Sequence, residues 1–257
     1  MTTEHFAEIV NLAPPDKAAY RCPVTTSDAY TFLPTEVISA ALMERGWGVS
    51  SVVTTKTKSP YRKGFQKHMV RYRNQDQMLK IGDRTAELLM VNAHDGTCTY
   101  QFKGGIFEFI CSNGLIVCSK EFPGIKVVHM GTSLRQVIDA SMEVADKLPM
   151  LVTQVNMMEA IGMTPNEREQ FARQAIELRF GQDSPITPDL VLNARRLEDT
   201  PQNLWKTLNV VQENLMKGGF YAPHRAGGWQ PVKAIKGMEM NLKVNEGLWE
   251  LAAGMIR

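Results

Sequence analysis

The sequence predicts an α+β fold, an antiparallel β-meander followed by a mostly helical C-terminal half. Turn signals recur at a regular interval, Asp95-Gly96, Gly104-Gly105 and Asn113-Gly114, each nine residues from the next, and such pairs accept the positive backbone angles of tight hairpins. Charged and apolar residues alternate along Phe65–Arg73, the period of a half-buried strand. Beyond Gly131 the apolar residues repeat at helical spacing instead, with capping residues ahead of the runs.

In chain order, residues 1–34 are rich in Pro, Ala and Thr and are expected to form an extended N-terminal arm. Residues 35–131 are expected to build the antiparallel sheet with a leading helix. Thr35 is read as the cap of that helix, Val37, Ile38, Ala41 and Leu42 as its apolar repeat, and Gly46 as its C-terminal glycine. The expected strands are Phe65–Arg73, Ala86–His94, Thr97–Lys103, Ile106–Cys111, Leu115–Ser119 and Ile125–Met130. In the first of these Lys67, Arg71 and Arg73 share one face and His68, Val70 and Tyr72 the other, which would put the charges on the solvent side of the sheet.

Residues 132–257 are expected to form a helical region packed on the sheet, in one compact domain with the preceding part. Thr132 or Ser133 caps a helix carrying Leu134, Val137, Ile138 and Met142, which Pro149 should kink or interrupt before it ends near Gly162. Thr164-Pro165-Asn166-Glu167 is a capping box with proline at the first helical position. A short helix over Leu190–Leu197, a helix opening at Thr200-Pro201 with the stripe Leu204, Leu208, Val211 and Leu215, and a last helix from Asn241 or Asn245 complete the reading.

With 257 residues, 44% hydrophobic and 22% charged, and without a low-complexity tract, the chain has the composition of an ordinary globular protein. No window reaches the roughly 20 apolar residues needed to span a bilayer, and the start Met1-Thr2-Thr3-Glu4-His5 does not read as a secretory signal. A cytoplasmic location is expected, with no membrane partner. Cys22, Cys98, Cys111 and Cys118 lie 76, 13 and 7 residues apart, which fits no paired-cysteine metal or redox pattern, so they are read as small buried apolar residues. No metal and no cofactor are implied.

Charge is more informative than composition. Between Glu44 and Asp76 there is no carboxylate, while Arg45, Lys56, Lys58, Arg62, Lys63, Lys67, Arg71 and Arg73 supply positive charge, in a chain whose net charge is only +2. Such segregation suits a polyanion, and Tyr61, Phe65 and Tyr72 within the same stretch offer faces for base stacking. A second stretch repeats the composition: Lys217, His224, Arg225, Lys233, Lys236 and Lys243 against the single acid Glu239, with Phe220, Tyr221 and Trp229 interspersed. The expected nucleic-acid-binding residues are therefore Lys56, Lys58, Tyr61, Arg62, Lys63, Lys67, Arg71, Tyr72, Arg73, Arg225, Lys233 and Lys236. The competing reading is a solvated basic face balanced by acids folded against it.

Other constellations give less. His94-Asp95 ahead of Gly96 has the residue types of a general-base pair, but strand neighbours point to opposite faces and the turn already explains Asp-Gly. Cys111 on a tight turn lacks the base or helix N-terminus that activates a thiol, unless His129 supplies it. Arg195-Arg196 is read as pairing with Glu198 or another element, or, if it joins the basic sheet, as adding phosphate contacts. Neither a dinucleotide fingerprint nor a phosphate-binding loop occurs at the glycine pairs. No catalytic residue is assigned, and the chain is read as a non-enzyme.

The blocks Arg71-Tyr72-Arg73-Asn74, Asn92-Ala93-His94-Asp95-Gly96, Cys111-Ser112-Asn113-Gly114-Leu115, His129-Met130-Gly131, Leu204-Trp205, Asn209-Val210-Val211-Gln212-Glu213-Asn214 with Lys217-Gly218-Gly219, and Asn245 with Leu248-Trp249 run in order over about residues 45 to 255. In them the chain resembles the phage- and plasmid-related proteins grouped as domain of unknown function 932. The resemblance implies a setting in mobile elements and brings no catalytic residues with it. Together with the charge pattern it leads to a nucleic-acid-binding accessory protein of a mobile element, expected to act in single-strand DNA annealing or recombination as a homo-oligomer. Phage annealing proteins look like a small antiparallel sheet crossed by a long helix, an arrangement that the expected meander and the helix from Leu134 would match. The alternative is an anti-defence protein that binds and inhibits a host protein; an enzyme reading would place His94, Asp95, Cys111 or His129 in the site.

Overall fold

A computed structural model describes residues 26–74, 79–81, 84–108, 114–117, 122, 124–196, 200, 202–223 and 227–256. The chain is α+β, an antiparallel meander followed by a mostly helical C-terminal half, and it divides into two compact units. The first runs to residue 110 and resumes over 122–149; the second comprises 111–121 and 150 onward.

In the first unit, α1 (Thr35–Met43) leads into β1 (Trp47–Thr54), β2 (His68–Asn74), β3 (Lys80–Ile81), β4 (Arg84–Asn92) and β5 (Tyr100–Glu108). These lie in the order β1-β2-β4-β5, with β3 paired to β4, all antiparallel. Of the strand expected over Phe65–Arg73 only the part from His68 forms, with Phe65 in the preceding turn; in it Val70 and Tyr72 bury completely on one face. Helix α1 covers that face, since Ser39 Oγ lies 2.8 Å from Tyr72 Oη and Thr35 Oγ1 2.8 Å from His68 Nε2, while Ile38 and Leu42 are fully buried. Pro34, not Thr35, is the N-cap of α1, because the Thr35 hydroxyl is held by histidines instead of by the helix.

The expected turn at Gly104-Gly105 does not form. Both glycines lie inside the continuous strand β5, opposite Leu88 and Glu87. What requires glycine is packing: a Cβ on Gly105 would sit 2.4 Å from Phe107 Cε2 and 2.7 Å from Leu89 Cδ1. Asp95-Gly96 does turn the chain, with Gly96 at φ 76° and the Asp95 carboxylate accepting from the Thr97 backbone at 3.1 Å. Asn113 of the third pair lies outside the described residues, as do residues 1–25 of the expected arm; Gly114 opens β6 (Gly114–Val117). Strand β7 (Ile125–Val127) pairs with β5.

Helix α2 (Leu134–Ala160) starts from a reciprocal cap, Gln136 N to Ser133 Oγ and Ser133 N to Gln136 Oε1 at 2.8 Å, and Pro149, expected to kink or interrupt it, does not interrupt it. Its last eleven residues belong to the second unit with α3 (Pro165–Phe180), α4 (Pro188–Leu192), α5 (Leu204–Lys217), the two-stranded ribbon β8 (Tyr221–Pro223) and β9 (Trp229–Pro231), and α6 (Met238–Ala253). The Thr164–Glu167 capping box forms as read. Helix α5 begins later than expected, capped by Asn203, and α6 begins earlier, after Gly237. All four stripe residues of α5 are fully buried, and Gln212 Nε2 donates to the buried Asn245 Oδ1 at 3.0 Å to tie α5 to α6. No described helix is long and apolar enough to cross a membrane.

Candidate nucleic-acid interface

The cationic residues of the first unit divide into two groups by what folds around them. Residues 55–67 join β1 to β2 and form an anchored loop. Thr55 closes its base, donating from both its backbone N and its hydroxyl to the Lys67 carbonyl at 2.9 Å. Pro60–Arg62 makes a 3₁₀ turn, since proline pre-sets the first dihedral angle. Phe65 then plugs the loop into the core, 2% exposed against Phe32, with its backbone carbonyl accepting from His94 N. Outside this anchor Lys56, Lys58 and Lys63 are exposed, Tyr61 is 67% exposed, and Arg62 stands half out, 3.9 Å from the Asp95 carboxylate. Lys67, at the base, is half-buried.

The second group corrects the expected basic sheet face. Arg71 and Arg73 do share a face, but Glu87 lies on it, fully buried, accepting from Arg71 Nε at 2.8 Å, Arg73 Nε at 2.7 Å and Ser50 Oγ at 2.9 Å. Arg71 is only 7% exposed and its guanidinium lies 3.5 Å over the Phe107 ring. Burial pushes its pKa down, with Glu87 opposing the shift. Tyr72 is fully buried on the opposite face, its phenol pushed up by burial. An arginine whose charge is already balanced by a buried carboxylate attracts a phosphate weakly, and Arg71 is in addition almost out of reach of solvent.

In the second unit Lys233 and Lys236 are exposed beside the β8–β9 ribbon; Arg225 lies outside the described residues. Lys217 pairs with Glu213 at 2.6 Å. Arg195 donates to Asn214 Oδ1 at 3.0 Å and to the Gly218 carbonyl, so it closes the end of α5.

His94 belongs to a buried polar cluster. His68 Nδ1 donates to the Gln66 carbonyl at 2.9 Å, which leaves its Nε2 to accept the Thr35 hydroxyl proton at 2.8 Å. The Thr35 oxygen then accepts from His94 Nε2 at 2.9 Å, so the His94 Nδ1 lone pair is left buried without a hydrogen bond. His129 donates from Nε2 to the Cys98 carbonyl at 3.0 Å and stacks on Tyr30. Burial depresses all three: His68 to about 4, His94 well below the ordinary histidine range, and His129 in the same direction. The three imidazoles are thus buried and held below the ordinary histidine range. Asp95 is occupied by its own turn, and Cys111 lies outside the described residues. Among the described residues no group of three or more His, Cys, Asp or Glu is arranged to hold a metal ion.

A family model described as a domain of unknown function (domain of unknown function 932) matches residues 24–249. The chain belongs to this family. It is similar to two Escherichia coli (strain K12) proteins, UPF0380 protein YafZ and UPF0380 protein YfjQ, each 32% identical over 231 residues, covering 90% of this chain and 84% of the relative. No solved structure matches.

In this family member Lys56, Lys58, Tyr61, Arg62 and Lys63 lie together on one loop and not on a sheet face, and Glu87 carries no local sequence signal of its role. That carboxylate lies outside the acid-free segment in sequence but faces Arg71 and Arg73 across a strand pairing, Arg73 Nη2 to Glu87 Oε1 being 2.6 Å. Alternation signals which face a residue takes; it does not signal what else that face holds. Thr35, too, joins His68 and His94 across 33 and 59 residues, with no local pattern to mark it.

Proposed function

We propose that this protein is a nucleic-acid-binding accessory protein of a mobile element, that its ligand is single-stranded DNA, and that it acts in strand annealing during recombination. The observation that carries this reading is the 55–67 loop: an anchored, acid-free projection with Lys56, Lys58 and Lys63 exposed, Arg62 half out, and Tyr61 presented to solvent. Cations along the loop meet phosphates, and a tyrosine face accepts an unstacked base at low conformational cost. Arg71, Tyr72 and Arg73 are not assigned to the interface, because each is committed to Glu87 or to the core. Lys233 and Lys236 supply the second region.

Annealing fits an assembly in which several copies line up their loops along one strand, so the reading includes a homo-oligomer. Labelled single- and double-stranded oligonucleotides titrated with the full chain at moderate salt test the binding, and native mass with and without single strand tests the assembly. Single-strand binding that drives assembly is expected. Absence of binding to either form at moderate salt overturns the reading.

A further inference from the structure

We infer that the β8–β9 ribbon of the second unit is a stacking platform for unpaired bases, with Tyr221 and Trp229 as its two rings. The inference rests on the single-strand reading and gives it a second contact surface, one that takes base faces and so excludes duplex.

Register places the rings. Tyr221 pairs with Pro231 and Pro223 with Trp229, and side chains of directly opposed residues share a face, as do those two apart along a strand. Tyr221, Pro223, Trp229 and Pro231 therefore occupy one face, while Ala222, 4% exposed, and the exposed Gln230 opposite it occupy the other. The outward rings are 62% and 63% exposed. Large aromatics presented together on a short ribbon are costly to leave in water.

The ribbon is held firmly at its base. Gly219 N donates to the Val232 carbonyl at 2.7 Å, Val232 N to the Phe220 carbonyl at 2.9 Å, and Ile235 N to the Met216 carbonyl at 2.8 Å. Gly218, at φ 59°, makes room for the returning strand, since a Cβ there would lie 2.3 Å from the Val232 carbonyl oxygen. Arg179 donates to the Leu215 and Lys233 carbonyls from the side. A cleft of about 520 Å³ runs beside the ribbon, lined by Phe180, Ile186, Pro223, Pro231 and Lys233 among others.

Charge selects the occupant. No carboxylate occurs between Glu213 and Glu239, whereas Lys233 and Lys236 are exposed just beyond β9. Rings followed by lysines within an acid-free stretch of sequence suit a strand whose bases lie flat on the rings and whose phosphates meet the ammonium groups. A duplex keeps its base faces stacked on one another and has none to offer.

Tryptophan emission reads this site directly, because Trp47, Trp205 and Trp249 are buried to 4% exposure or less and Trp229 is exposed. The full chain is titrated with oligothymidylate, with a duplex of equal length, and with polyglutamate. Oligothymidylate is expected to quench the emission and the duplex to leave it unchanged. Trp229→Ala and Tyr221→Ala should each weaken single-strand affinity roughly tenfold at an unchanged melting temperature. Trp229→Phe should keep most of the affinity while losing the quench. Oligothymidylate that binds without quenching, and binds Trp229→Ala equally well, overturns the platform but leaves binding through the 55–67 loop intact. Equal quenching by duplex, or quenching by polyglutamate alone, also overturns it, the latter in favour of an acidic protein partner. Failure of every oligonucleotide to bind overturns both readings.

Discussion

Glu87 decides which arginines are available to a ligand. It is fully buried and bridges Arg71, Arg73 and Ser50, so it neutralises one of two charges that the local sequence leaves unbalanced. Removing one partner of a buried ion pair costs more than the pair contributes, because the remaining charge stays desolvated. Glu87→Ala is therefore expected to lower the unfolding free energy by about 3–5 kcal/mol, read from urea denaturation followed by circular dichroism; a loss below about 1 kcal/mol would mean that Arg71 reaches water. The histidine cluster makes a second prediction. In the unfolded chain His68 takes up a proton near pH 6.5, whereas burial holds it neutral in the fold until about pH 4. The unfolded state thus binds more protons in between, so stability is fully present above about pH 6.5 and is lost as the pH falls toward 4, with His94 adding in the same direction. The melting temperature should fall across that window, and His68→Gln should flatten the curve; an unchanged slope would place the acid sensitivity elsewhere.

Among the elements, those fixed by local chemistry are the ones legible in the sequence. The Thr164 capping box, the buried stripe Leu204–Leu208–Val211–Leu215 and the Asp95-Gly96 turn follow from spacing and from side-chain-to-backbone bonds within a few residues. Elements set by tertiary packing were not legible. Gly104-Gly105 has the composition of a turn, yet β5 runs through it because Gly105 leaves room for the Phe107 ring on which Arg71 lies. Gly105→Ala should destabilise the first unit by about 1–3 kcal/mol, measurable as a lowered melting temperature; tolerance of alanine there would show that the strand can shift to admit it. The candidate interface divides in the same way. The charge pattern singles out the run from Lys56 to Lys63 without showing that it is a loop, whereas Arg71, Tyr72 and Arg73, in the same acid-free segment, meet a different fate, decided by Glu87 and Ser39 on other elements.

In the whole molecule the two units carry the same pairing of exposed cations with exposed aromatic rings: Lys56, Lys58, Lys63 and Tyr61 in one, Lys233, Lys236, Tyr221 and Trp229 in the other. A net charge of +2 spread evenly would hold no polyanion; gathered into acid-free segments it can. Salt dependence is the signature of that mechanism, because each neutralised phosphate releases a counterion. The deciding measurement is fluorescence anisotropy of a labelled single-stranded oligonucleotide from about 50 to about 200 mM salt, comparing the native chain with the variant Lys56→Ala, Lys58→Ala, Arg62→Ala, Lys63→Ala. The native chain should bind with a steep fall in affinity as salt rises, and the variant, folded as before, should bind more weakly with a log–log slope shallower by about 2–3. A native chain that does not bind at low salt, or a variant that binds with the same affinity and slope, would contradict the assignment of the 55–67 loop to nucleic acid.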